Sequence, residues 1–285
     1  MSIKIIQERL EGYHCASTQE EDRALREITQ EIALAALSRS DFFKKAIFHG
    51  GTALRILHSL QRFSEDIDFM LMEPSASFRW EIYLKNMSAE FEAYGFSIRV
   101  EDRSDADETV KKAFLKENSI GKILMLKHPL RTGTSKQIVV KFEIDTNPPK
   151  GSRFETKHLD FPFSCPVTVH DLPSLFAGKC SALLCREYLK GRDWFDFVWY
   201  AGRKPQLNFK LLSNALDQQG PWKEQQILTD KTWLIREMEK KIASIDWEKA
   251  RKDVARFVKP RELQTLQLWN REFMMECLQK MAERL

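Results

Sequence analysis

A chain of 285 residues, 43% hydrophobic and 30% charged, has the length and apolar content for one large or two modest domains around real cores. A net charge of +4, spread along the chain with a modest concentration from Lys179 onward, permits a nucleic-acid partner without requiring one. No run approaches the ~18 apolar residues of a membrane span. The five cysteines (Cys15, Cys165, Cys180, Cys185, Cys277) form no Cys-x-x-Cys pair, which points to reduced, cytosolic thiols rather than disulfides or zinc.

The opening "MSIKIIQERLEGYH" mixes acids and bases without a long apolar run and does not read as a signal peptide. Residues 19–40 start acidic and carry apolar residues at helical spacing, predicting a helix. "KKAIFHGG" reads as a strand ended by a glycine turn. "TALRILHSL" reads as a short helix with Thr52 as its N-cap and Leu54, Leu57 and Leu60 on one face. "DIDFML" is a second strand, and 77–94 a second long helix ended by Gly95. "FSIRVED", "IGKILMLKH" and "QIVVKFEID" read as strands, followed by a proline-rich turn, "TNPPKGSR".

From "CPVTVHDLPSLF" onward the pattern turns helical. A short strand leads to Asp171 as an N-cap, with Pro173 in the first turn. Helices are expected at 172–188, 193–202, 207–217, 229–244, 246–257 and 262–283. The chain thus reads as an α/β half, 1–163, followed by a helical half, 164–285, with the change of character in the proline-rich region near 146–165.

Side chains alternate faces along a strand, so Asp66 and Asp68 point one way while Ile67 and Phe69 point into a core. Two neighbouring carboxylates repel, and either their pKa values rise or a cation sits between them. Magnesium suits such a pair, because it takes oxygen ligands and leaves room for water and substrate phosphates. A solvated sheet edge would look the same. The upstream turn favours the metal: Gly50 and Gly51 let backbone approach a ligand closely, and Thr52 stands where a helix start favours phosphate.

The stretch "HGGTALRILHSLQRFSEDIDF" resembles the signature of the polymerase-β-like nucleotidyltransferase superfamily, and more narrowly that of the AbiEii/AbiGii-type nucleotidyltransferase toxins. The resemblance implies an α+β fold, with a mixed sheet, flanking helices and a C-terminal helical domain. It also implies that Gly50, Gly51 and Thr52 hold a triphosphate and that Asp66 and Asp68 hold two magnesium ions. Arg62 and Ser64 match the Arg-x-Ser-x-Asp-x-Asp form of this branch and are nucleotide-binding candidates.

The superfamily further implies a third acid on a later strand. "IVVKFEID" offers Glu143 and Asp145 on its polar face, beside Lys141; Asp145, at the strand end, is favoured and Glu143 is the alternative. In "DLPSLFAGKCSALLCREYLKGRDWFDFVWY", Lys179 falls on a stripe with Leu172, Leu175, Phe176 and Leu183, where it either snorkels outward or reaches a phosphate. Gly191 reads as ending one helix and Asp193 as opening the next. Asp193 and Asp196 share a helical face; on a purely structural reading Asp193 is an N-cap and Asp196 pairs with Arg192 or Arg186. A lysine followed by Arg-Asp-x-x-Asp is also the second signature of the AbiEii-type family, which marks Lys179 and Asp193 as catalytic candidates.

The expected activity is magnesium-dependent transfer of a nucleotide from an NTP to RNA, on the family's precedent a tRNA 3′ end. The expected setting is a cytoplasmic toxin of a toxin–antitoxin or abortive-infection system, with a cognate antitoxin protein and no membrane. The Lys- and Arg-rich helical half could hold the RNA or the antitoxin. The same site with a protein or small-molecule acceptor, a sugar-nucleotide glycosyltransferase, and a non-catalytic nucleotide-binding module are the alternatives.

Overall fold

The structure, a computed structural model, describes residues 3–103, 109–117, 138–203 and 206–285. The strand expected at "IGKILMLKH" lies outside the described residues. Two N-terminal helices, α1 (Ile3–Glu11) and α2 (Thr18–Ser38), lead into strand β1 (Ala46–His49), helix α3 (Gly50–His58) and strand β2 (Asp66–Leu71). Helix α4 (Glu81–Ala93) and strands β3 (Ile98–Asp102), β4 (Val110–Glu117), β5 (Ile138–Asp145), β6 (Phe154–Leu159) and β7 (Cys165–His170) follow.

The strands form a seven-stranded mixed sheet in the order β3-β4-β5-β2-β1-β7-β6. β2 lies between β1, antiparallel to it, and β5, parallel to it. Of these central strands β5 alternates throughout and β2 over its first half, while β1 is apolar up to His49. Ile138, Val140, Phe142 and Ile144 are fully buried or nearly so, while their neighbours on the opposite face are half-exposed. On the apolar side, Phe69 of β2 meets Phe42, Phe48 and Trp80 at ring separations of 4.8–6.1 Å, and Trp80 also touches Phe142. Edge-to-face and tilted pairs of this kind add to what burial of the rings already supplies.

Helix α2 starts at Ser17, whose hydroxyl accepts the Glu20 amide, and is buried on almost every side. Its buried acids are answered by specific donors: Glu27 accepts from Arg55 at 2.8 Å and Tyr13 at 2.9 Å, and Glu31 from Arg9. Gln30 donates from its amide to the carbonyls of Ser64 and Glu65. This helix therefore fixes the chain immediately before β2.

α3 begins at Gly50, so Thr52 sits inside its first turn rather than capping it, and Leu60 lies beyond its end at His58. The strands β4 and β6 had no counterpart among the elements read from the sequence.

From Asp171 the chain is helical: α5 (Leu172–Cys185), α6 (Gly191–Ala201), α7 (Phe209–Gln218), α8 (Lys231–Ser244), α9 (Trp247–Ala255), α10 (Pro260–Leu266) and α11 (Arg271–Ala282). Asp171 caps α5 as expected, its carboxylate accepting the Ser174 amide at 2.8 Å. α6 opens at Gly191, which begins this helix instead of ending the previous one. The single helix expected over 262–283 is two, separated where Asn270 caps α11 by accepting the Phe273 amide. Trp194, Phe197 and Tyr200 of α6 are buried. Phe176 of α5 stacks on Tyr200 at 4.3 Å, and Trp247 of α9 meets Trp194 edge-on at 4.9 Å.

The chain divides into two compact units. Met1–Leu57, Ser64–Pro148 and Thr156–Val169 make the first; His58–Phe63, Pro149–Glu155 and His170–Leu285 make the second.

Candidate active site

In the first unit the acid pair and the glycine turn meet. His49 pairs with Asp68 across β1 and β2, and Gly50 follows with a φ of +79°. A Cβ at Gly50 would lie 2.5 Å from Asp68 Oδ2, so the carboxylate rests on bare backbone that no other residue would leave open. Thr52 is fully buried and its hydroxyl donates to the carbonyl of Asp66. In this structure that hydroxyl ties α3 to the start of β2. Gly51 is buried, and Ser64 is half-exposed with its carbonyl taken by Gln30.

The parallel pairing of β2 with β5 ranks the two candidates for the third acid. Asp66 stands beside Lys141, Asp68 beside Glu143, and Met70 beside Asp145. Glu143 is therefore the neighbour of the acid pair, and Asp145 is one step further along, its carboxylate accepting the Asn147 amide at 2.8 Å in a local turn. Lys141, to which no role was assigned from the sequence, donates to Glu143 at 2.7 Å. Burial alone would lower its pKa, but the charges of Glu143, Asp66 and Asp68 outweigh that and raise it. A lysine held charged by three acids marks this as a place where negative charge collects. Its position two residues before Glu143 on the same strand face was the signal that could have revealed it.

The second unit holds the remaining candidates in a buried chain of alternating charge. Arg62 is 2% exposed and grips Asp196 with two parallel bonds of 2.6 and 2.7 Å. Asp196 in turn takes Lys179 at 2.7 Å; Lys179 also reaches Asp193 at 2.9 Å, and Asp193 accepts from Arg186 at 2.6 Å. Asp196 thus pairs with Arg62 and Lys179, not with Arg192 or Arg186 as the purely structural reading has it, and Lys179 turns inward rather than snorkelling. Asp193 lies in the first turn of α6, and the cap position belongs to Lys190.

Burial would push the Lys179 ammonium toward neutrality, yet the two carboxylates outweigh it and keep the group charged, with its pKa raised. The same burial would raise Asp193, and Lys179, Arg186 and Lys190 together hold it well below the usual carboxylate range. An ammonium has three donors. Two of those on Lys179 go to Asp193 and Asp196.

α6 is fixed in place by its first residue. Gly191 donates its amide to Asp253 at 2.8 Å, and a Cβ there would lie 2.2 Å from the Ala250 carbonyl of α9.

Residues 32–271 match the model of the nucleotidyl transferase AbiEii toxin family of type IV toxin–antitoxin systems. The chain belongs to that family. It is a nucleotidyltransferase toxin, and enzymes of this family take an NTP and a divalent metal; the type IV setting carries with it an antitoxin partner. Among solved structures, the nucleotidyltransferase toxin MenT4 of Mycobacterium tuberculosis is similar over 96% of this chain and 98% of its own, at 16% identity and a TM-score of 0.52. JHP933 of Helicobacter pylori is similar over 92% and 90%, at 16% identity and 0.50. At such identities the likeness speaks to the fold, and the AbiEii-family sheet and C-terminal helices follow it. Comparison with curated proteins gives no match. No helix of the described residues is long and apolar enough to cross a membrane.

Proposed function

We propose that this AbiEii-family toxin transfers a nucleotide from an NTP to RNA, with a tRNA 3′ end as the favoured acceptor. The site is Asp66, Asp68 and Glu143 beside the Gly50–Thr52 turn. One observation carries the reading: the Asp68 carboxylate lies against bare glycine backbone at the head of α3, where any side chain would displace it. In the reaction an acceptor hydroxyl oxygen bonds to the α-phosphorus, the bond from that phosphorus to the β-phosphate's bridging oxygen breaks, pyrophosphate leaves, and the hydroxyl proton passes to solvent.

The residues fit magnesium by donor chemistry. Among the described residues no three His, Cys, Asp or Glu side chains converge into a self-sufficient metal cage. Magnesium is characteristically held by one or two carboxylates plus substrate phosphates and water, which is what Asp66 and Asp68 offer beside an open turn. Bound there, two such ions would polarise the phosphates and offset charge on the leaving group. Asp66 and Asp68 would hold them, and Glu143, next to Asp68, would complete the acid set in place of Asp145. The amides at the start of α3 would face the triphosphate tail. Lys179 would offer its third N–H to a phosphate, with Asp193 and Asp196 orienting it and Arg62 anchoring Asp196. A cytoplasmic setting completes the proposal.

The test incubates purified protein with each radiolabelled NTP, total cellular RNA and magnesium, alongside Asp68→Ala and a chelator control. Label entering small RNA, absent with the variant and absent without divalent metal, supports the proposal. Label entering protein instead moves the acceptor to a polypeptide, and no label anywhere overturns catalysis at this site.

A further inference from the structure

The short segment between α5 and α6 borders a cavity of about 260 Å³ within the second unit. At about 30 Å³ per water molecule, that space admits a phosphate group with part of its hydration. Arg186, Lys190 and Lys241 line it together with Tyr188.

Two of the three acids lining this cavity are already committed. Asp193 is neutralised by Lys179 and Arg186. Asp246 caps α9 through the Lys249 amide and pairs with the Lys249 side chain at 3.4 Å. The third, Glu187, is exposed to solvent. The two cations left over form no ion pair with a carboxylate among the described residues. Lys241 donates to the neutral carbonyl of Arg186 at 2.9 Å, and Lys190 is half-buried. Burial lowers the pKa of both. Around Lys190 the charge of Asp193 opposes this, but Arg186, Arg192 and Lys179 add to it and the net shift is downward. Partly desolvated cations crowded by other cations are stabilised most by an incoming anion.

Tyr188 adds a second, independent feature. Its side chain is among the few large aromatic groups left open among the described residues, 66% exposed, with the Arg186 guanidinium over its ring at 5.0 Å. An aromatic ring backed by arginine beside such lysines is the combination that stacks an unpaired base and holds the adjoining phosphate.

We infer that this cavity is a subsite for single-stranded RNA, with a backbone phosphate on Lys190 and Lys241 and an unpaired base stacked on Tyr188. It rests on the reading that the acceptor is RNA and assigns part of that acceptor's footing to named residues.

The experiment measures fluorescence anisotropy of a short end-labelled single-stranded oligoribonucleotide with the full chain, without NTP or metal, across a range of salt concentrations. Lys190→Ala and Lys241→Ala each weaken binding and flatten the slope of log affinity against log salt by about 0.7. Tyr188→Ala weakens binding about tenfold with the slope unchanged, and Tyr188→Phe binds as wild type does. Lys231→Ala, on α8 away from the cavity, changes neither quantity. Thermal unfolding of each variant confirms that the fold is retained.

The inference is overturned if wild type does not bind the strand, if a blunt RNA duplex binds as tightly, or if the cavity variants bind like wild type. The last result rejects the subsite even where those variants lose affinity for a protein partner. Labelled-nucleotide transfer abolished by Asp68→Ala while the cavity variants bind RNA normally leaves the catalytic reading standing and removes this one. RNA held through the cavity by a protein that transfers no nucleotide keeps the subsite and removes the catalytic reading.

Discussion

Adding one methyl group at Gly50 places a carbon 2.5 Å from Asp68 Oδ2 and asks an L side chain to hold a φ of +79°. The backbone cost alone is about 1–2 kcal/mol. Displacement of the carboxylate is the larger consequence for function. Gly50→Ala is expected to unfold only modestly earlier than wild type in a thermal scan, yet to lose nearly all metal-dependent NTP turnover. Equal small losses in both measurements would show that Asp68 tolerates the move.

Asp193 gives the second test at this scale. Its pKa is depressed in the folded chain below the ordinary 3.8, because the charges of Lys179, Arg186 and Lys190 outweigh burial. An unfolded chain therefore binds the proton first as pH falls, and stability drops with it. The contribution is complete above the ordinary value of 3.8 and disappears as pH falls toward the folded-state value. Denaturant titrations from about pH 5 down to about pH 2 are expected to show this loss in wild type. In Asp193→Asn the pH-dependent component is gone, and stability at neutral pH is lower by about 3–5 kcal/mol, since buried Lys179 and Arg186 lose a partner.

Among the elements, the pairing of β2 with β5 sets Glu143 rather than Asp145 beside Asp68, and on that register Glu143 is proposed as the third acid. Glu143→Gln is expected to lower the rate of nucleotide transfer by on the order of a hundredfold or more, while Asp145→Asn stays within a few-fold of wild type. The reverse order of rates would move the third acid back to Asp145.

The same pairing marks where local pattern stops being informative. Alternation in "DIDFML" and "IVVKFEID" correctly puts Asp66, Asp68, Glu143 and Asp145 on polar strand faces, because a period of two is a local property. Register is not local. Whether Glu143 or Asp145 stands beside Asp68 depends on how two strands far apart in the chain slide on each other, and shifting by two positions preserves every polar face. β4 shows no legible alternation because its apolar residues are interrupted by Lys111, Lys112 and Lys116, with Lys111 itself buried. β6 is mostly exposed and offers no apolar side to detect. The break before α11 did have a legible sign, since Asn270 ahead of Arg-Glu is a cap signal within a pattern otherwise continuous in its apolar spacing.

At the scale of the whole molecule, the two compact units do not follow the order of the chain. The second gathers His58–Phe63 and Pro149–Glu155 from stretches that precede the helical half. Arg62 is the reason this matters, as its guanidinium is the bidentate partner of buried Asp196, 134 positions later. No composition or spacing argument reaches across such a distance, and a carry-over by motif could mark Arg62 as important without showing what it touches. A fragment beginning at residue 164 lacks this arginine and leaves Asp196 with Lys179 alone. Such a fragment is expected to be poorly folded by circular dichroism and rapidly cut by protease. Arg62→Ala in the full chain is expected to cost about 3–5 kcal/mol, and Arg62→Lys should recover only part of it because the fork is lost. A stable, resistant fragment would show that Asp196 does not need its distant partner.

Gly191 has a similar reach with no side chain at all. The Ala250 carbonyl and Val254 amide of α9 occupy the volume that a methyl group would claim. That clearance works like the bore of a bearing: it seats one end of α6, and through it the depth at which the carboxylates of Asp193 and Asp196 receive a lysine. Tolerances at the rim of the helical unit are thereby transmitted to its most buried charges, and a change as small as glycine to alanine, which deletes no side-chain contact, would put the whole ionic chain out of true.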